Sequence, residues 1–524
     1  MHPSKSGVLC AVVYLVVGAT LAWSSASRVK TDSGTVEGVS GSGDSVRIYK
    51  GIPFAAPPVG DLRWKEPRRP AAWKDVRKAD AFGARCAQGN MFSDMVFRDA
   101  GMSEDCLYLN IWAPAKGARM PVLVYFHGGG FAAGSGDEPR YDGENFARKG
   151  IVVVTVNYRL GVFGFLAHAE LTAESPHKAS GNYGMLDQVA ALEWVERNIA
   201  AFGGDPKKVT IGGESAGSFA VSALMASPLS RQLIAGAIGE SGAMFSTGSG
   251  TLAAQPLAKA EQSGTEYLTA AGVKSIAELR SKSADELLKV PTRGPGLRFA
   301  PIIDGYFLPD TPASIYAKGQ QSHVPLLAGW NADEVRIGVL AANPKPNGQI
   351  LTARLKTAFP DALDAAQKVY AAANDEEALR AAGDLASDQF IDYCTWKWIE
   401  EQSKTGKSPV YRYEFDRPVP LPAGTPDRGV KGLAGHSWEL EYVFGALDSK
   451  KAAWEPEDRK TSETMANYFA NFIKTGDPNS SGLAPWPPFS KGNVVMHLDA
   501  SSGASAEEHR DRYVFLDEYY QKHQ

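Results

Sequence analysis

Two short apolar runs, "PVLVYFH" and "GIVVVTVNYR", constrain the fold more than any other feature of this chain. Each is almost free of polar residues, as a strand must be when both of its faces are covered. A helical pattern follows, "NYGMLDQVAALEWVERNIAAFGGD", with apolar residues at helical spacing until a Gly-Gly stop. Another β-branched run, "VTI", and another helical stretch, "AGSFAVSALMAS", come next. Strand, helix, strand, helix in this order builds a largely parallel sheet through right-handed crossovers, which places the chain in the α/β class.

Before these runs, residues 28–54 alternate apolar and polar side chains between Gly-rich turns, and "CLYLNIWAP" continues the pattern. Antiparallel strands are expected there. After them, "LIAGAIGES", "VPLLAGW" and "PVYRYEF" supply further short strands. The stretches 252–289 and 351–406 are long enough for a helical cap over the sheet edge. No repeat, linker or low-complexity tract divides the chain, so 27–524 is expected to be a single domain.

Residues 1–26 differ from the rest. Lys5 precedes an apolar run over 7–23 and then the small residues "SSAS", the pattern of a secretory signal peptide cleaved near Ala26. The expected location is secreted or periplasmic, with no stable membrane span after cleavage. Secretion permits disulfides. Cys86 and Cys106 are close enough in sequence to close a small loop, while Cys394, in "FIDYCTWKW", reads as a buried small hydrophobe on an aromatic helix. A net charge of −4 without a block of Lys or Arg argues against a nucleic-acid partner.

The segment "KVTIGGESAGS" carries the chemistry. Gly213-Glu214-Ser215-Ala216-Gly217 fits G-x-S-x-G in the setting that gives the motif meaning, directly after a strand and before a helix. A turn sharp enough to expose Ser215 leaves no room for bulk beside it, hence the flanking glycines. Ser241, in "GESGA", also follows Gly-Glu but lacks the second glycine; it is expected to play a structural or supporting part. A serine hydroxyl needs a base, a group that orients the base, and donors for the developing oxyanion. "YFHGGGFAAGSG" supplies a glycine loop at a strand end, and the expected donors are the N–H groups of Gly129, Gly130 and Ala216.

Nine histidines compete for the role of base. His436, in "GLAGHSWELEYVFGAL", lies late in the chain, where the order nucleophile, acid, base puts it. The acid should lie between, near the end of a parallel strand, and "VPLLAGWNADEVR" offers both Asp333 and Glu334.

Together "EDCLYLNIW", "HGGGF", "NYRLGVFGFL", "GNYGMLDQVAALEWVERNIAAFGGDP" and "GESAGS" resemble the type-B carboxylesterases, the α/β-hydrolase group that includes carboxylesterases, cholinesterases and para-nitrobenzyl esterases. The likeness is dense over 28–245 and continues in islands. It implies an α/β-hydrolase fold, a Ser215–Glu334–His436 triad with Asp333 as the other candidate acid, and hydrolysis of small to medium esters through an acyl-enzyme. Val335 and Arg336 depart from the small residue this family commonly carries after the acid. Glu214 is read either as an electrostatic influence on the imidazolium or as a buried structural carboxylate.

The partner implied is a small-molecule ester; no cofactor or metal is expected. A lipase acting on longer chains and a catalytically silent adhesion protein are the alternatives, the latter opposed by the presence of all three motifs. "SPHK" and "KTG" mimic a β-lactamase pattern but lack its S-D-N element. Cholinesterase activity is disfavoured, since Val96 stands where the choline-stacking tryptophan of that branch would fall. Phe131, Phe219, Phe245, Trp330 and Trp438 lie near the motifs and are candidates for pocket walls as much as for core packing.

Overall fold

A computed structural model describes residues 27–245, 252–291, 299–342, 348–421 and 432–523. The expected leader, 1–26, lies outside the described residues. The apolar runs pair as one eleven-stranded sheet. In chain order its strands are β1 (Val39–Ser40), β2 (Val46–Pro53), β3 (Tyr108–Pro114), β4 (Met120–Phe126), β5 (Val152–Val156), β6 (Gly204–Glu214), β7 (Gly236–Glu240), β8 (Leu326–Asn331), β9 (Val410–Phe415), β10 (Val494–Leu498) and β11 (Gly503–Ala506). Across the sheet they run β11-β10-β9-β8-β7-β6-β4-β5-β3-β2-β1.

From β10 to β5 the neighbours are parallel. The N-terminal strands β1, β2 and β3 close one side and β11 the other by antiparallel pairing. Alternation along β4 explains its unbroken apolar character: Val122, Val124 and Phe126 enter one core, Leu123 and Tyr125 the other. All five residues of β5 are buried for the same reason.

The helices that matter for the site are α1 (Tyr183–Asn198), α2 (Ala216–Ala226), α3 (Arg336–Ala342), α4 (Asp375–Ser387), α5 (Tyr393–Thr405), α6 (Pro456–Thr475) and α7 (Arg510–Lys522). Every residue of α2 is buried, which its small and apolar composition allows. Within the late helical stretch α5 lies directly on β8 and β9, with Trp398 fully buried and its Nε1 donating to the Tyr316 hydroxyl. Cys394 is buried in α5, as its aromatic neighbours imply. A single π turn, Asp388–Asp392, joins α4 to α5 and rotates Phe390 relative to a regular helix. Among the described residues no helix is long and apolar enough to cross a membrane.

A disulfide joins Cys86 to Cys106. Gln88 fastens the start of the enclosed loop, exchanging hydrogen bonds with the Gly134 backbone, and Asp137 accepts from the Arg98 and Asp99 N–H groups near its middle. Replacing both cysteines by serine is expected to lower unfolding free energy by about 3 kcal/mol, the chain-entropy value for a loop of this length. Urea melts of the two proteins check it.

Candidate active site

Ser215 occupies the turn between β6 and α2 with φ 52° and ψ −122°, a region that costs an L-residue about 1–3 kcal/mol. The surrounding contacts hold it there. Its N–H donates to the Glu240 carbonyl (2.8 Å), and its carbonyl accepts from Phe219 N–H (2.9 Å). The flanking glycines are required by space: a Cβ on Gly213 would stand 2.5 Å from the carbonyl carbon of Gly217, and one on Gly217 would stand 2.0 Å from the Phe126 oxygen. The helix therefore begins against the end of β4, where the glycine loop also begins. On that loop Gly129 and Gly130 have φ of 105° and 64°. Their N–H groups, and that of Ala216 at the start of α2, donate to no acceptor among the described residues.

His436 is brought in by the loop that follows β9. Its Nε2 lies 2.9 Å from Ser215 Oγ and its Nδ1 2.5 Å from Glu334 Oε2. Glu334 sits just past β8 and is buried. Its other oxygen accepts from Asn331 N–H (2.8 Å) and from the Ser241 hydroxyl. Ser241 follows β7 and is held at φ 55°.

Asp333 turns the other way. Its carboxylate accepts from Ala434 N–H (2.8 Å) and pairs with Arg336, so it clasps the histidine loop to the loop after β8 without touching His436. Arg336 also pairs with Asp384 of α4, which in turn binds Arg512 of α7 at 3.0 Å. Arg336 thus links this loop to α4 and, through Asp384, to α7.

Two carboxylates act on the imidazole. Glu214 Oε1 approaches Nε2 at 3.2 Å, the same nitrogen that faces Ser215. Burial opposes a charged imidazole, but Glu214 and Glu334 outweigh it and raise the His436 pKa well above its ordinary value. Burial likewise pushes the Glu214 carboxyl up to about 7.

Ser215 and His436 open onto a cavity of about 580 Å³. Its walls come from the disulfide loop (Met91, Phe92, Asp94, Met95), the glycine loop, Leu252, Phe390 and Trp438. Phe390, turned by the π turn, meets the His436 ring edge-on at 5.3 Å. A volume of this size suits one small organic ligand.

A profile of the carboxylesterase family matches residues 25–515, nearly the whole chain. The chain belongs to the carboxylesterase family. Among curated proteins this carboxylesterase is 38% identical to the fumonisin B1 esterase of Sphingopyxis macrogoltabida, over 90% of this chain and 86% of that protein. It is 36% identical to the para-nitrobenzyl esterase of Bacillus subtilis (strain 168), over 88% and 92%. Among solved structures it superposes on a Geobacillus stearothermophilus carboxylesterase with a TM-score of 0.78 at 33% identity, covering 93% of this chain and 99% of the other. The fold is that of the α/β-hydrolases, and the carboxylesterase is an enzyme that hydrolyses carboxylic esters.

Not every residue singled out in the carboxylesterase sequence reaches the site. Phe131, Phe219, Phe245 and Trp330 are core residues, each at most 2% exposed; only Trp438 of that set lines the cavity. His127, at the head of the glycine loop, is buried against Tyr158, and burial lowers its pKa to about 4. Sequence reasoning missed Asn331, whose N–H holds Glu334 and whose side chain donates to the Gly435 carbonyl and to Glu439. It also missed the disulfide loop as a wall, although "MFSDM" between the two cysteines is more apolar than an exposed loop requires.

A second Ser-His-Asp set shows why distances alone do not make a site. His497 lies 2.7 Å from Asp416 and 3.0 Å from Ser505. Ser505, however, sits in ordinary antiparallel pairing with Val495 on the edge hairpin β10–β11, not at a strained turn before a helix.

Proposed function

We propose that Ser215 is the nucleophile of this esterase, His436 its general base and Glu334 the acid that orients the imidazole. The unbroken chain of contacts from Glu334 through His436 to Ser215, opening onto the cavity, is the observation that carries the reading. His436 takes the hydroxyl proton as Ser215 Oγ attacks the ester carbonyl, and Glu334 stabilises the imidazolium that results. The tetrahedral oxyanion is received by the N–H groups of Gly129, Gly130 and Ala216, each worth about 3 kcal/mol in the transition state. His436 then delivers its proton to the leaving alkoxide. Water, deprotonated by the same imidazole, releases the acid from the acyl-enzyme.

The cavity volume favours short to medium acyl chains over the long chains of a lipase. The leader pattern over 1–26 and the Cys86–Cys106 disulfide support a mature catalytic unit, 27–524, working outside the cytoplasm.

The test is a p-nitrophenyl ester series from acetate to palmitate, combined with labelling by a phosphonate p-nitrophenyl ester, on which the nucleophile attacks phosphorus, expels p-nitrophenolate and is left as a slowly hydrolysed phosphonyl adduct. Rates that peak at short chains and an adduct confined to the peptide carrying Ser215 are expected. An adduct on another serine overturns the assignment.

The pH profile tests the environment of the base. Only neutral imidazole accepts the Ser215 proton, so a raised His436 pKa moves the acid limb of kcat/KM to higher pH. Removing one of the two carboxylates that raise it lowers that pKa. Glu214→Gln is therefore expected to shift the acid limb by about one unit toward lower pH. An unmoved limb means that Glu214 serves only as buried structure.

A further inference from the structure

Among the described residues, Arg140 is the only arginine or lysine on the wall of the cavity that holds Ser215. Burying a guanidinium beside an ester site is costly unless its charge is answered. One partner is permanent: Glu138, itself buried, meets Nη2 at 2.9 Å. The guanidinium also lies against the Tyr141 ring, 5.4 Å from its centre, which restrains its plane. The other side chain on it is of a different kind. Asp94 reaches Nη1 at 3.3 Å through one oxygen, its side chain is 57% exposed, and it belongs to the disulfide loop; among the described residues this is its one hydrogen bond. A single ion pair with an exposed partner contributes little. The cavity-facing edge of Arg140 is therefore covered by a carboxylate that water can readily replace.

We propose that Arg140 binds a carboxylate carried by the substrate, which takes the place of Asp94. The inference rests on the reading of this cavity as the ester site and narrows it: the favoured substrates are half-esters, molecules with one ester bond to cleave and one free carboxylate to hold. The chain's own Asp94 shows that a carboxylate is accommodated there, and Glu138 keeps the guanidinium in place when Asp94 leaves. Glu214, the other carboxylate on this wall, is engaged with His436. Arg140 suits the task because its planar fork presents fixed donors to a planar anion.

The experiment compares kcat/KM for paired esters by pH-stat. A monoalkyl glutarate against the alkyl valerate places the anion on the acyl side; an O-acetyl hydroxy acid against an alkyl acetate places it on the alcohol side. In at least one pair the anionic member is expected to be preferred, with a preference that falls as salt rises. Arg140→Gln should lower the anionic-to-neutral ratio about tenfold or more, chiefly through KM. Asp94→Asn, on a side chain that is 57% exposed, should raise the ratio severalfold. A ratio unchanged by both substitutions, or lowered by Asp94→Asn, overturns the proposal while neutral ester hydrolysis still supports the esterase reading. Failure of the unsubstituted chain on every ester overturns both.

Discussion

Ser215→Ala is expected to leave a folded protein with almost no esterase activity. Removing the nucleophile of a Ser-His-acid triad lowers kcat by roughly 10⁵–10⁶-fold, leaving only what substrate binding and the oxyanion donors supply. The fold should not register the change. Among the described residues the Ser215 hydroxyl makes one hydrogen bond, to His436, while the strained backbone at this position is held by main-chain bonds to Glu240 and Phe219 that alanine retains. Burst kinetics and thermal melts on the same samples check both halves. Activity within tenfold of the parent would remove Ser215 from the mechanism; a large fall in Tm would show that the loss came from unfolding.

Gly217→Ala is expected to fail for the opposite reason. The substitution touches no reacting group, yet the new methyl would stand 2.0 Å from the Phe126 carbonyl oxygen, far inside van der Waals contact. Neither side can yield cheaply, because α2 is buried along its whole length and Phe126 ends a central strand paired on both sides. A cost of about 3 kcal/mol or more is the expectation for such overpacking. Any relief must come from pushing α2 away from β4, which separates Ala216 N–H from Gly129 and Gly130. Loss of stability and of kcat should therefore appear together, and a folded, fully active Gly217→Ala protein would show that the turn has more room than its contacts indicate. Chemical denaturation beside steady-state kinetics measures the two.

The two substitutions mark what can be read from sequence in a chain like this. The largely parallel sheet and the strand-turn-helix around Ser215 were legible because they depend on local pattern: unbroken apolar runs for β4 and β5, and glycines where a Cβ would collide. The histidine was legible from chain order and its motif. The choice between Asp333 and Glu334 was open to residue reading, since adjacent side chains leave the backbone in different directions and only tertiary partners show which faces His436. Here the partners are Ala434 and Arg336 for the first, Asn331, Ser241 and His436 for the second.

The cavity walls were the least legible part. Four of the five aromatics near the motifs lie in the core, because nearness in sequence to a strand end usually means nearness to the sheet interior. The real walls arrive from afar, on the disulfide loop and on a π turn between α4 and α5; the apolar "MFSDM" hints at burial, but neither segment's local pattern tells which surface it will meet.

The contacts of the site span long stretches of chain: 221 residues separate Ser215 from His436, 102 separate Glu334 from His436, and 93 separate Ser241 from Glu334. Such contacts form only after large loops have closed, and proteins dominated by them fold slowly. Arg336 extends the dependence to the C-terminal helix through Asp384 and Arg512. Ester turnover is consequently a late reporter of refolding: secondary structure and buried tryptophan signals should recover first, and hydrolysis only when the far ends of the chain have met.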